Sequence, residues 1–81
     1  MLDFTSRTKY YLRSKPTDMR KGRDGLSGIV RDEMKHNPQR YDEVFVFYSR
    51  DYKNVKILHY DINGYVMYQK WFIKSGKIYP N

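Results

Sequence analysis

PTDMRKGRDGLSGIVRDEM, residues Pro16 to Met34, is the stretch whose reading decides the fold. Pro16 disfavours helix at Lys15. Thr17 or Asp18 can then cap a helix, its side-chain oxygen accepting from free backbone N–H groups. At about 100° per residue, Met19, Gly22, Leu26, Ile29, Val30 and Met34 share one broad stripe. Arg20, Lys21, Asp24, Arg31, Asp32 and Lys35 lie opposite. Asn37-Pro38 closes the segment, and Lys35 and His36 suit the negative end of a helix. Gly22, Gly25 and Gly28 argue the other way, each costing about 1 kcal/mol against Ala in a helix interior. Gly22 falls in the apolar stripe, where a missing side chain permits close approach to a sheet. The alternative is a loop through Gly22 or Gly25 followed by a shorter helix.

Outward from this segment the chain reads as strands. Upstream, residues 1–9 are polar and expected to be loosely held. Lys9-Tyr10-Tyr11-Leu12-Arg13 has the aromatics of a short strand and ends at Ser14-Lys15-Pro16. Downstream, Glu43-Val44-Phe45-Val46-Phe47-Tyr48 is apolar at successive positions, so both of its faces call for cover, the second by another subunit if not by this chain. Val55-Lys56-Ile57-Leu58-His59-Tyr60 and Tyr65-Val66-Met67-Tyr68-Gln69-Lys70-Trp71-Phe72 follow as strands. Asp61-Ile62-Asn63-Gly64 between them is a hairpin turn, with Asn-Gly as the usual positive-φ pair. Ser75-Gly76 turns again, and Ile78-Tyr79 can add a short edge strand. The expected fold is α+β: a small antiparallel meander of three to four strands, an N-terminal strand at its edge, and one amphipathic helix packed on one face.

Composition sets the outer limits. Eighty-one residues make one domain, 1–81. So small a chain has a thin core, and 17% aromatic residues compensate by burying much area each. Cysteine is absent, which removes disulfides and thiolate metal sites. No apolar run suits a signal peptide or a membrane span, so the expected location is the cytoplasm, with no membrane partner. The net charge of +7 points to an anionic partner.

Catalysis is not expected. Asp18 reads as a cap, Asp24 as the surface partner of Arg20, and Asp61 as a turn residue. His36 and His59 lack a second ligand at any usual metal spacing, so no metal or cofactor is expected. The glycines match neither Walker nor dinucleotide spacing. Nucleic-acid contact is the sharper reading. The segment around the helix offers Arg20, Lys21, Arg31 and Lys35, and the sheet offers Arg50, Lys53, Lys56 and Lys70. Tyr60 and Tyr68 are nearby stacking surfaces. About six phosphate contacts would cost roughly a thousandfold in affinity between 50 and 200 mM salt. Asp24 and Asp32 dilute this field. The rival is a protein-interaction or oligomerisation module, for which Phe45, Phe47, Trp71 and Phe72 are the candidates.

Three runs also carry a family signature: Tyr10-Tyr11-Leu12, then Pro16-Thr17-Asp18-Met19-Arg20-Lys21-Gly22, then Asp24-Gly25-Leu26-Ser27-Gly28-Ile29-Val30. Val44-Phe45-Val46-Phe47, Val55-Lys56-Ile57-Leu58, Asp61 and Gly64-Tyr65-Val66 continue it. Together, from about Tyr10 to Lys70, the chain resembles the TnpB-type accessory protein of bacterial transposons of the insertion sequence 66 family. That family is unrelated to the RNA-guided nuclease of the same name. The resemblance implies a non-catalytic protein needed for transposition and encoded beside a separate, larger transposase. Its expected partners are therefore the transposase or another transposon-encoded protein, DNA, or a second copy of itself. The chain departs from the family pattern at Arg23, where an apolar residue is usual. It departs again in the thinned basic run Ser49-Arg50-Asp51-Tyr52-Lys53, and in Lys70-Trp71-Phe72.

Overall fold

Five elements follow one another in the computed structural model, which describes residues 7–73. They are β1 (Lys9–Leu12), α1 (Arg23–Asp32), β2 (Glu43–Tyr48), β3 (Asn54–Asp61) and β4 (Gly64–Trp71). Ser75-Gly76, Ile78-Tyr79 and residues 1–6 lie outside the described range. The strands form a single sheet in the order β1-β2-β3-β4. The meander expected from β2 to β4 is antiparallel throughout, with Phe45 opposite Leu58 and Ile57 opposite Tyr68. β1 is at the edge but runs parallel to β2, with Tyr11 beside Phe45. The sheet is therefore mixed and not purely antiparallel. A parallel neighbour needs a long crossover, and the connection from Leu12 to Glu43, which carries α1, provides one.

Side-chain alternation along these registers defines two faces. Phe45, Phe47 and Leu58 join Leu26 and Val30 of α1 in one cluster with no exposed surface. Tyr11, Met19, Ile29, Met34 and Tyr65 pack against it. Burying each large apolar side chain is worth about 1.5–3 kcal/mol, so these few residues hold the molecule together. On the second face, Val44, Tyr48 and His59 are buried. Tyr52 stacks on Tyr48 with centroids 5.5 Å apart, and His59 Nε2 lies 2.8 Å from the Tyr41 carbonyl oxygen.

The helix is shorter than its apolar periodicity suggested. It begins at Arg23, with Gly22 as an extended N-cap that makes no side-chain capping bond. This is the loop-then-short-helix alternative, and Thr17 and Asp18 are not caps. Both have other partners: the Thr17 N–H donates to the Tyr48 carbonyl at 2.8 Å, and Asp18 accepts the Arg20 N–H at 2.9 Å. Nor does Gly22 permit close approach to the sheet, since a Cβ there would have nothing within 4 Å. The crowded glycine is Gly25, whose Cβ would stand 3.2 Å from Lys21 Cβ. At the far end the Met34 N–H reaches the Ile29 carbonyl and the His36 N–H the Val30 carbonyl, while Lys35 takes a positive φ of 60°. Among the described residues no helix is long and apolar enough to cross a membrane.

Candidate nucleic-acid interface

Three pieces of chain converge at the end of the sheet where β2 finishes, β3 begins and β4 finishes. They are the segment Pro16–Gly22, the turn Ser49–Lys53, and Lys70–Phe72. The first is fixed by Arg13. Its guanidinium donates twice to Glu33, at 2.7 Å each, and also to the Pro16 carbonyl and the Thr17 hydroxyl. A second anchor is Lys56, almost fully buried, whose Nζ donates to the Lys21 carbonyl at 2.8 Å. Between these anchors Asp18 and Arg20 form a two-pronged pair that closes at 2.7 Å. That pair, with the Arg20 N–H, holds the Asp18 carboxyl well below the usual carboxylate range.

The turn is braced from inside. The Ser49 hydroxyl donates to Asp51 at 2.7 Å and accepts the Asn54 N–H at 3.0 Å, and Asp51 also accepts the Lys53 N–H. These bonds, the hydroxyl's first, hold the Asp51 carboxyl below its ordinary value. With the acid facing its own turn, Arg50, Tyr52 and Lys53 stay exposed. The β4 end is tied to this turn because the Phe72 N–H donates to the Lys53 carbonyl at 2.8 Å and Trp71 is in register with Asn54. Lys70 Nζ stands 5.1 Å from the Phe72 ring centroid, a cation–π contact. Trp71 is 66% exposed.

The structure sorts the candidates named from sequence. Lys21, Arg50, Lys53 and Lys70 come to this end, and none has a carboxylate within salt-bridge distance among the described residues. Arg20 is there too, already paired with Asp18. Lys56 is corrected: its ammonium is committed to a backbone carbonyl in the interior and does not face solvent. Arg31 is paired with Asp32, and it and Lys35 stand at the C-terminal end of α1. Phe45 and Phe47 are also corrected, because with no exposed surface they build the core and offer nothing to a partner. Trp71 stays exposed, while Phe72 is half-buried under Lys70. Sequence reading missed Arg13, whose partner Glu33 lies beyond any local pairing rule.

A family model described as IS66 Orf2 like protein matches residues 8–80. No curated protein and no solved structure matches the chain.

Proposed function

The chain belongs to the IS66 Orf2 like protein family, and on that premise we propose that it is a non-catalytic, cytoplasmic accessory protein that binds nucleic acid and acts with a separate transposase. The family supports the accessory role in transposition. The observation behind nucleic-acid contact is the gathering of Lys21, Arg50, Lys53 and Lys70 at one end of the sheet without carboxylate partners. The paired arginines are largely spent: Arg20 at this end, and Arg13, Arg23, Arg31 and Arg40 beyond it, each meet an acid. The net charge of +7 thus has a place where it is not locally neutralised. In this reading α1 is the amphipathic cover of the opposite sheet face and takes no direct part.

Contacts to four phosphates predict a loss of affinity of about a hundredfold between roughly 50 and 200 mM salt. Lys53→Ala with Lys70→Ala should weaken binding and flatten that slope. Fluorescence anisotropy of labelled DNA measures both, and the absence of binding at low salt would sink the reading.

A second reading has its own observation. Leu12, Val46, Ile57 and Tyr68 lie in register across all four strands on the second face. Leu12 is 52% and Tyr68 41% exposed. An apolar row of this kind suits docking on the transposase. Leu12→Asp, at the β1 edge and away from Lys70, should abolish co-purification with the transposase and spare DNA binding; unchanged co-purification would remove this reading.

A further inference from the structure

We infer that the ligand of the basic end is single-stranded DNA, with the Trp71 indole as a stacking platform for one base and Arg50 and Lys53 of the adjoining turn as phosphate contacts. This rests on the nucleic-acid reading above and narrows it to unpaired strands.

Trp71 is the starting point. A tryptophan normally gives a fold a large buried area. Here most of its surface faces water, and it makes no aromatic contact among the described residues. The core is complete without it, since the buried cluster is built from Leu26, Val30, Phe45, Phe47 and Leu58. The turn next to it is cationic: the backbone bond between Phe72 and Lys53 ties that turn to the end of β4, and Arg50 and Lys53 both belong to it, whereas Lys70, in register with Val55, projects from the other face of the sheet. Cations beside open aromatic faces are the surface that single strands use, because every unpaired base has a face to stack. Stacked duplex bases have theirs hidden.

The elements that could enter a duplex major groove are poorly equipped for it. That groove admits a helix or a two-stranded ribbon. On α1, Arg23 and Arg31 are paired with their neighbours Asp24 and Asp32, whose carboxylates would meet the phosphates too. The β3–β4 ribbon ends in Asp61-Ile62-Asn63-Gly64, which bears an acid and no cation. The unpaired cations sit on a turn and a strand end, where a flexible backbone can be tracked.

Trp71 is the single tryptophan of the chain, so its fluorescence reports on this position alone. The protein should be titrated at low salt with a short oligothymidylate and with a hairpin duplex of matching length. Affinities are read in parallel from the anisotropy of the labelled DNA. The single strand should quench Trp71 and bind about tenfold more tightly than the duplex. Trp71→Ala should weaken single-strand binding roughly tenfold, and Trp71→Phe, which keeps a ring, should retain most of it. Thermal melts matching the parent protein exclude a folding defect. Equal affinity for both DNAs would overturn the single-strand inference while leaving nucleic-acid binding standing. Binding unchanged in Trp71→Ala would overturn the stacking role. Failure to bind either DNA would overturn this inference together with the reading it rests on.

Discussion

Lys53 and Lys56 stand three residues apart and carry the same charge, yet only one is available to a ligand. Strand alternation does not separate them, because Lys53 is in the turn; burial does. The Lys56 ammonium replaces water with the Lys21 carbonyl, and truncating it would leave that carbonyl without its donor. Lys56→Ala should therefore cost about 1–3 kcal/mol of stability. Lys53→Ala should stay within about 0.5 kcal/mol. Urea unfolding of the two variants makes the comparison, and a Lys56→Ala protein of parental stability with lost DNA binding would return Lys56 to the interface. The hairpin turn shows a second residue-level surprise. The positive φ values fall on Ile62 and Asn63, at 40° and 65°, and Gly64 has none. The turn sits one residue earlier than Asn-Gly suggests because Asp61 and Gly64 are themselves paired. A β-branched residue is strained there, and at 80% exposure Ile62 recovers little by packing.

At the scale of elements, the joint between β1 and the end of α1 is electrostatic. Arg13 is mostly buried, and its two-pronged bond holds the Glu33 carboxyl at about 2, against an ordinary value of 4.5. Lys15 adds a weaker contact to Glu33 at 3.6 Å. A carboxyl whose pKa is depressed by folding stabilises the fold above its unfolded value, and that contribution fades as pH falls from about 4.5 toward 2. The melting temperature should accordingly drop across this window. In Arg13→Met the window should flatten, with a lower melting temperature at neutral pH. Scanning calorimetry from pH 6 to about pH 2 tests it; an Arg13→Met profile parallel to the parent would rule out this pair as the cause. The helix itself starts late because its predicted caps have better partners. Thr17 bonds to Tyr48 and Arg13, Asp18 to Arg20, and α1 then begins at Arg23, with Gly22 as its N-cap.

For the whole molecule, charge is sorted more sharply than composition suggests. Most described acids are taken up by a nearby arginine, by His36 or by a turn, while lysines supply most of the unpaired excess. That sorting leaves Lys21, Arg50, Lys53 and Lys70 near one end of the sheet with no carboxylate in salt-bridge distance among the described residues. It also argues that the salt dependence predicted for DNA binding belongs to the turn and the β4 end, and α1 should be nearly silent in it. The apolar row across the second face adjoins that end, since Ile57 and Tyr68 of the row line one cavity with Lys70.

The sequence by itself determined the elements held by local chemistry: the apolar run of β2, the alternation of β3 and β4, the hairpin between them, the short β1, and the family signature. The Lys9–Leu12 and Glu43–Tyr48 assignments needed no partner to be read. Only the tertiary structure decided the rest. The parallel pairing of β1 depends on where a long crossover returns, which no periodicity encodes. The late start of α1 depends on the carbonyl of Tyr48 and the side chains of Arg13 and Arg20. The separation of structural from available cations depends on contacts as distant as Lys56 with Lys21 and Arg13 with Glu33. Periodicity reports which side of an element is apolar, and a site is made by what meets across elements.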